Sequence, residues 1–150
     1  MFNCVQKTIK IPQKPRGSHI ITNIIKSNLP EMKMFRCGVL NVFLQHTSAS
    51  ITINENCCPD VRSDLESWMN EVVPEDRRWD HSSEGADDMP AHAKCSMIGC
   101  SINIPITNGE LALGTWQGIY LNEHREYGGS RTIVLTITGT VNSETLNRGV

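Results

Sequence analysis

The residues best suited to chemistry are concentrated in one stretch, from Trp79 to Lys94. Its sixteen residues contain two histidines and four carboxylates, namely His81, His92, Asp80, Glu84, Asp87 and Asp88. No helical or alternating apolar pattern is present before Pro90, so we predict an ordered loop over most of the stretch. Loops that bring acids and histidines together are common sites of acid–base or metal chemistry.

A solvated acidic loop would explain the same residues without any chemistry. In that interpretation Asp87 or Asp88 caps a helix that begins near Pro90, since aspartate at a helix start and proline in the first turn are both favourable. The spacing of the acids and histidines leaves both interpretations open. The choice depends on whether other segments bring matching polar groups to the loop.

Histidine nitrogens and carboxylate oxygens together suggest a metal site. The candidate ligands are His46, His81, His92 and His124, with Glu84, Asp87 and Asp88 nearby. This donor set binds zinc, manganese, iron or nickel, and two or three protein ligands would leave a position open for Lewis-acid chemistry. No diagnostic spacing such as H-E-x-x-H is present, and His92 and His124 could each be structural, hydrogen-bonded residues. His19 is expected to be structural.

The strand predicted from Ala49 to Ile53 has one polar face. Because neighbouring side chains on a strand point to opposite faces, the even positions form a row of Ser48, Ser50, Thr52 and Asn54. Short hydroxyls and an amide suit the wall of a pocket, although a wet sheet face is the ordinary alternative. Asn54 is therefore a candidate substrate contact. His46 joins the row if the strand continues without a bulge.

Two further groups are candidates for binding a substrate. Thr115 and Gln117 flank Trp116 in an unusual polar-aromatic group, whose simpler explanation is a packed tryptophan at a strand end. The segment from Gly128 to Arg131, Gly-Gly-Ser-Arg, could hold an anion with backbone N–H groups and a guanidinium. A tight hairpin followed by an exposed arginine is the simpler explanation there.

The apolar periodicity predicts one α+β domain with seven or eight strands in a mostly antiparallel arrangement and three helices. Strands are expected at 2–11, 38–44, 49–53, 102–107, 111–113, 119–121 and 131–138, and helices at 22–29, 59–73 and from near 90 to 98. Residues 12–18 are expected to form a turn, with Thr22 as a helix N-cap. The polar tail after Gly139 is expected to fray.

Composition excludes several classes of partner. A formal charge of −2 gives no electrostatic reason to bind nucleic acid or an anionic membrane. No apolar run approaches the roughly 20 residues that span a bilayer, and the start of the chain lacks the apolar block of a signal peptide, so a cytoplasmic location is expected. The six cysteines should be reduced there. Cys4, Cys37 and Cys95 have apolar neighbours and are expected to be buried.

Four motifs taken together resemble the YjbQ-like family. They are His46-Thr-Ser-Ala-Ser50 with the following Ile-Thr-Ile-Asn-Glu-Asn56, the segment from Glu84 to Lys94, Leu113-Gly-Thr-Trp-Gln-Gly-Ile119, and the segment from Glu123 to Arg131. The resemblance extends over residues 5–139. It implies an α+β fold with a barrel-like or sandwiched sheet, a homotrimer, and a metal-associated polar cluster at His46, His81, Glu84 and His92. His124 matches the closer relatives.

Some members of that family are named secondary thiamine-phosphate synthase, which implies a transferase and a small, phosphorylated substrate. Such a synthase joins a pyrimidine methyl diphosphate to a thiazole phosphate with loss of pyrophosphate. A divalent cation must bind the leaving diphosphate, and Glu84, Asp87 and Asp88 could hold it. A cation such as Arg125 or Arg131 is needed near the other phosphate. Histidine ligands favour zinc or a similar metal over magnesium. Glu84 and Asp88 are then the candidate catalytic residues. A trimeric metal- or small-ligand-binding protein without turnover remains the alternative.

A closed oligomer is also expected, with the site near a subunit boundary. Pro105 indicates a sheet edge, and open edges are templates for aggregation. The strands around Ile104 and Leu135 supply more apolar surface than three short helices cover. A monomer that closes its own sheet as a barrel would remove the same edges. The trimer itself is implied by the family resemblance.

Overall fold

Alternating apolar side chains build two antiparallel sheets. A computed structural model describes residues 1–143 of the chain. The predicted α+β class, with three helices and eight strands, is confirmed. The elements are β1 (Phe2–Ile11), β2 (Gly17–Ile20), α1 (Thr22–Asn28), a 3₁₀ helix (Pro30–Met34), β3 (Phe35–Leu44), β4 (Ala49–Glu55), α2 (Pro59–Val72), α3 (Asp88–Ile98), β5 (Ser101–Thr107), β6 (Glu110–Leu111), β7 (Gln117–Glu123) and β8 (Arg131–Val141).

The larger sheet has five strands in the order β1-β8-β3-β5-β6. Its second strand, β8, alternates strictly, so Ile133, Leu135 and Ile137 are fully buried while Val134 and Thr136 between them lie on the outer face. Leu40 pairs with Ile137 across the β3–β8 ladder, which keeps both side chains on the core face. No helix described within residues 1–143 is long and apolar enough to cross a bilayer.

The smaller sheet has three strands in the order β2-β7-β4 and lies between the core and two helices. Ile51, Ile119 and Leu121 pack into the core that it shares with the larger sheet. On its other face Asn122 bonds to both Ser50 and Thr52, at 3.0 and 3.1 Å. Helices α2 and α3 pack against this polar face, which explains the polar row of β4.

Several boundaries differ from the sequence-based expectation. A turn is predicted at residues 12–18, but its last two residues, Gly17 and Ser18, begin strand β2, which pairs with β7. The sequence of β2 has no apolar alternation from which a strand could be predicted. Thr22 is the first residue of α1 and not its N-cap, and its hydroxyl accepts the Ile119 N–H at 2.9 Å. The predicted fraying after Gly139 is wrong up to Val141, because β8 continues to that residue. The rest of the predicted tail, 144–150, lies outside the described residues.

Two of the three cysteines expected to be buried are exposed. Cys4 and Cys37 point outward from the five-stranded sheet, while Cys95 is half-buried. The expectation was wrong because their apolar neighbours along the chain face the core, whereas the cysteines occupy the alternate, outward positions. Burial raises the pKa of the Cys95 thiol, so this cysteine is a weak nucleophile.

Candidate functional site

Four side chains that the sequence placed in or beside the acidic loop converge in the structure. His81 and Glu84 lie in the segment between α2 and α3, Asp88 is the first residue of α3, and His92 follows one turn later on the same helix face. One ligand atom from each lies within 4.8 Å of the others. We refer to His81, Glu84, Asp88 and His92 as the histidine–carboxylate cluster.

The separations within the cluster are short. His81 Nε2 lies 2.8 Å from Asp88 Oδ2 and 3.1 Å from Glu84 Oε2. His92 Nε2 lies 3.3 Å from the same oxygen of Asp88. Ligand atoms that surround a tetrahedral zinc ion at about 2.0–2.1 Å are themselves about 3.3 Å apart. The cluster therefore offers donor types that could hold a metal ion, with Asp88 at its centre.

Asp88 is buried and divides its two oxygens between different partners. Oδ2 faces the two histidines, while Oδ1 accepts a hydrogen bond of 2.7 Å from Arg125 Nη1. Burial alone would raise the pKa of Asp88, but hydrogen bonding with Glu84 and His81 and the charges of His92 and Arg125 lower it overall. Asp88 is therefore ionised at neutral pH, as a metal ligand must be.

His92 is held in the orientation that a ligand needs. Its Nδ1–H donates to the Thr47 carbonyl oxygen at 2.8 Å, so Nε2 is the ring nitrogen that faces the cluster and would bind a metal. A backbone carbonyl on the far nitrogen is the usual way to fix the tautomer of a metal-binding histidine. His81 is about half exposed and contacts His92, with ring centroids 5.5 Å apart.

Arg125 fastens the acidic loop to the end of β7. Its Nε and Nη1 bond to Asp87 and Asp88 at 3.4 and 2.7 Å, and its Nη2 donates to the Glu84 carbonyl oxygen at 2.8 Å. Asp87 also accepts the Glu126 N–H at 2.9 Å, a role different from the helix cap considered from the sequence. Arg125 thus uses three of its five N–H groups to orient the cluster.

His46 lies outside the cluster. The chain bends at Thr47 and Ser48 before β4 begins, so His46 does not continue the polar row of that strand. Its Nε2 accepts the Thr132 N–H at 2.7 Å, and its Nδ1 lies 3.3 Å from Arg131 Nη1. Burial and the charge of Arg131 lower the pKa of His46. The Nε2 lone pair of His46, which a metal would use, is engaged in the hydrogen bond from the Thr132 N–H.

His124 is also separate, buried between the smaller sheet and the helices. Its Nε2 lies 2.9 Å from the Ser50 hydroxyl, while its Nδ1 has no hydrogen-bond partner within the described part of the chain. Burial, together with the positive charges of Lys94, Arg131 and Arg16, lowers the pKa of His124 to about 3. His124 is therefore neutral at physiological pH. The structure gives it the hydrogen-bonded position considered from the sequence and does not bring it to the other histidines.

Arg131 is the largest departure from the sequence-based interpretation. It is 3% exposed, not the exposed arginine that the simpler explanation required, and it forms a two-pronged ion pair with the fully buried Glu123. Gly128 lies against this pair, since a Cβ there would be 2.5 Å from Glu123 Oε1. Glu123 is a functional residue that the sequence pattern does not single out, although an acid in the fully buried run of β7 needs a partner.

The three remaining candidates lie toward the far end of the smaller sheet. Thr115 and Gln117 are exposed at the start of β7, and Gln117 Oε1 accepts the Gly114 N–H at 2.8 Å. Asn54 is exposed near the end of β4, where it pairs with Gly118. The seven residues of β7 separate this end from His124 by about 20 Å. Within one chain, these residues do not approach the histidine–carboxylate cluster.

A pocket of about 290 Å³ adjoins the cluster, with His81 in its wall. Trp79, Met89 and Pro90 supply apolar surface, and the guanidinium of Arg77 lies 5.0 Å from the Trp79 ring centre. The indole N–H donates to the Pro74 carbonyl oxygen at 3.2 Å, which holds the ring in place. No sequence motif indicates a role for Arg77 and Trp79, and only their proximity to His81 in the fold suggests one.

The comparisons with known proteins agree with this fold. The sequence profile described as UPF0047 protein YjbQ-like matches residues 7–140. UPF0047 protein YjbQ from Escherichia coli O157:H7 is 48% identical over 134 residues, which cover 89% of this chain and 97% of that protein.

Two solved structures extend the comparison. A structure from Clostridium acetobutylicum, described as an uncharacterised conserved protein of the YjbQ/UPF0047 family, is 35% identical with a TM-score of 0.78, and the match covers 87% of this chain and 98% of that one. A YbjQ-like protein of unknown function from Sulfolobus solfataricus shares the fold at 23% identity, with a TM-score of 0.84 over 93% of this chain and 100% of that one. This chain belongs to the UPF0047 family of YjbQ-like proteins.

Proposed function

We propose that the histidine–carboxylate cluster binds one divalent metal ion and that the protein is a metal-dependent enzyme acting on a small molecule. The observation that supports this most directly is the set of separations around Asp88 Oδ2, 2.8 Å to His81 and 3.3 Å to His92. Neighbouring ligands of a tetrahedral ion are about 3.3 Å apart, so the His92 separation already has that value and His81 would move outward by about 0.5 Å. Arg125 and Thr47 supply the outer contacts that orient such ligands.

Zinc or a similar metal fits this donor set better than magnesium. Two imidazole nitrogens are offered beside two carboxylates, whereas magnesium prefers oxygen ligands and retains several waters. The exposed position of His81 and Glu84 leaves room for a substrate atom or water as a further ligand. A bound ion would supply Lewis-acid chemistry there.

Within this proposal the two acidic candidates have different roles. Asp88, buried and ion-paired with Arg125, holds the metal. Glu84 is exposed at the edge of the cluster, so it can exchange a proton with a bound molecule. The substrate occupies the neighbouring 290 Å³ pocket, where Trp79 offers an aromatic surface and Arg77 a positive charge. Arg77 takes the place of Arg125 and Arg131 as the cation near a phosphorylated substrate.

Elemental analysis of the untagged protein tests the metal site. We expect about one zinc or similar ion per chain in the wild type. Loss of a ligand should remove most of the metal from His92→Ala and Asp88→Asn. The matched control is His19→Ala, because His19 lies in β2, outside the cluster, where its Nε2 donates to the Pro15 carbonyl oxygen. Equal metal content in the wild type and His92→Ala would reject the site.

The thiamine-phosphate synthase reaction is the specific transferase proposal, and it rests on the family resemblance. Purified metal-loaded protein should form thiamine phosphate from its pyrimidine diphosphate and thiazole phosphate halves. Glu84→Gln should retain metal through its remaining ligands and lose at least about 100-fold in rate, the usual contribution of an acid–base group. A rate that survives Glu84→Gln would indicate a contaminating synthase. Metal binding without turnover in the wild type would favour the alternative, a protein that binds metal or a small ligand without catalysis.

We further propose that the outer face of the five-stranded sheet is a contact between subunits of a homotrimer. Among the paired outward positions of β1, β8, β3 and β5, Lys10 is the one charged side chain, and Phe2, Val39 and Phe43 are exposed there. Wet sheet faces normally carry many charges, and exposed apolar surface without charge is typical of an interface.

Light scattering tests the trimer. We expect a mass near three times the 16.7 kDa of the chain for the wild type. Val39→Lys, which puts a charge into the middle of this face, should give monomers. The control is Val72→Lys, a similarly exposed valine on α2. A monomeric wild type would overturn the proposal, as would a trimer unaffected by Val39→Lys together with Phe43→Lys.

A further inference from the structure

A second groove lies between β2 and the first half of α2. It has a volume of about 440 Å³, and its polar lining includes Arg16, His19, Arg62, Ser63, Glu66 and Ser67. We refer to these six residues as the arginine–serine groove. It shares no residue with the histidine–carboxylate cluster or with the pocket beside it.

Arg62 has no ion-pair partner among the residues that the structure describes. Its Nη1 is buried and, within those residues, without a hydrogen bond. The other arginine of the groove, Arg16, is already paired with Glu66 and Glu75. A buried guanidinium nitrogen without an acceptor is costly, and such a group in a folded protein commonly indicates a missing water or ion.

Hydroxyl and imidazole donors surround Arg62. Ser63 and Ser67 are four residues apart on α2, so both hydroxyls lie on the same side of the helix and face the groove. His19 uses Nε2 to donate to the Pro15 carbonyl oxygen at 2.7 Å, which leaves Nδ1 available. A planar guanidinium beside hydroxyls is the arrangement that binds phosphate oxygens.

Glu66 indicates what kind of anion would fit. One carboxylate oxygen lies 3.5 Å from Arg16 Nε, while the other is buried and has no hydrogen-bond partner in residues 1–143. An acceptor in an otherwise donor-rich groove can accept a hydrogen bond from a protonated phosphate oxygen. Phosphate groups keep a proton near pH 6, since their second pKa is about 6, whereas sulfate has none to donate.

We propose that the arginine–serine groove binds the phosphate group of a small phosphomonoester, with Arg62 as the principal donor and Glu66 accepting the phosphate O–H. The groove is larger than one phosphate group, which leaves space for the alcohol that carries it. This site does not depend on the metal proposal, because none of its residues belongs to the cluster.

Isothermal titration calorimetry at pH 6 with inorganic phosphate and with glycerol 1-phosphate tests the proposal. A chelator is present throughout, so that a metal in the cluster cannot contribute to binding. We expect dissociation constants of about 0.1–1 mM for these small ligands. Arg62→Met should weaken both by at least about tenfold, the effect of losing a charge-assisted hydrogen bond. The control Arg36→Met replaces an exposed arginine on β3 and should bind normally.

Sulfate distinguishes the role of Glu66. It should bind the wild type more weakly than phosphate, and Glu66→Gln should remove that preference. Binding of glycerol 1-phosphate more tightly than inorganic phosphate would support a phosphomonoester as the natural ligand, and the reverse order would overturn that part. No heat of binding in the wild type, or binding that Arg62→Met leaves unchanged, would overturn the site itself. His92→Ala should bind phosphate as the wild type does.

Discussion

The buried pair of Glu123 and Arg131 allows a quantitative test of whether this arginine is structural. The Glu123 side chain is fully buried and that of Arg131 is 4% exposed. Arg131 also donates to the Ser48 hydroxyl at 3.0 Å and to the Ser48 carbonyl oxygen at 3.2 Å. It therefore connects the first residue of β8, the last residue of β7 and the entry to β4. Arg131→Met keeps much of the side-chain volume and removes every one of these contacts.

The expected loss of stability is large because the carboxyl group of Glu123 would remain buried without its ion-pair partner. Removing one member of a buried ion pair typically costs about 3–5 kcal/mol. For a domain of this size, that corresponds to a fall in melting temperature of about 6–20 °C. The double variant Arg131→Met with Glu123→Leu should lose less than the sum of its single variants, because no buried charge then remains.

Urea unfolding followed by circular dichroism measures these differences. Arg36→Met is the matched control and should stay within about 0.5 kcal/mol of the wild type, since its side chain is exposed. A loss below about 1 kcal/mol in Arg131→Met would refute the structural role. If such a stable variant also lost affinity for a phosphorylated ligand, the substrate-binding role considered from the sequence would be restored.

Three further predictions concern other positions. Arg125→Met should weaken metal binding about 10–100-fold, because Asp88 loses its outer contact. Competition with a zinc-sensitive dye measures the affinity, and an unchanged affinity would contradict this prediction. Folding lowers the pKa of His124 from its ordinary value of 6.5 to about 3, so its contribution to stability is complete above pH 6.5 and is lost as the pH drops toward 3. His124→Gln should therefore lose stability less steeply in acid, by up to about 1.4 kcal/mol per pH unit in urea unfolding, and parallel pH profiles would count against this. Gly38→Ala should cost about 1–3 kcal/mol, because its Cβ would lie 2.5 Å from the Thr138 carbonyl oxygen, whereas Gly114→Ala meets only the Gln117 side chain and should be tolerated.

The strands of the core were predictable because they follow a period of two. Ile133, Leu135 and Ile137 face inward on β8, and the sequence shows that alternation directly. β2 was missed because Gly-Ser-His-Ile has no such pattern, and only its pairing with β7 makes it a strand. Pairing depends on residues about a hundred positions apart, which local periodicity does not contain.

The candidate site was predicted in part for a similar reason. His81, Glu84, Asp88 and His92 lie within twelve consecutive residues, so one loop and one helical turn suffice to bring them together. His46 was assigned to the cluster through an unbroken strand and the family resemblance. The bend before β4 turns it instead toward Thr132 and Arg131. A single bend changes the face on which a side chain lies, and nothing in the sequence around Thr47 indicates it.

The end of β7 shows how one strand terminus can serve three parts of the molecule. Neighbouring residues on a strand point to opposite faces, so Glu123 enters the core between the sheets while Asn122 faces the helices. His124 follows on the helix side against Ser50, and Arg125 reaches the acidic loop. Glu123 thus bonds to β8, Asn122 and His124 bond to β4, and Arg125 bonds to the start of α3. The position of Asp88 therefore depends on how β7 is anchored. The buried pair of Glu123 and Arg131 provides that anchor, and so it supports the geometry of the cluster without contacting it.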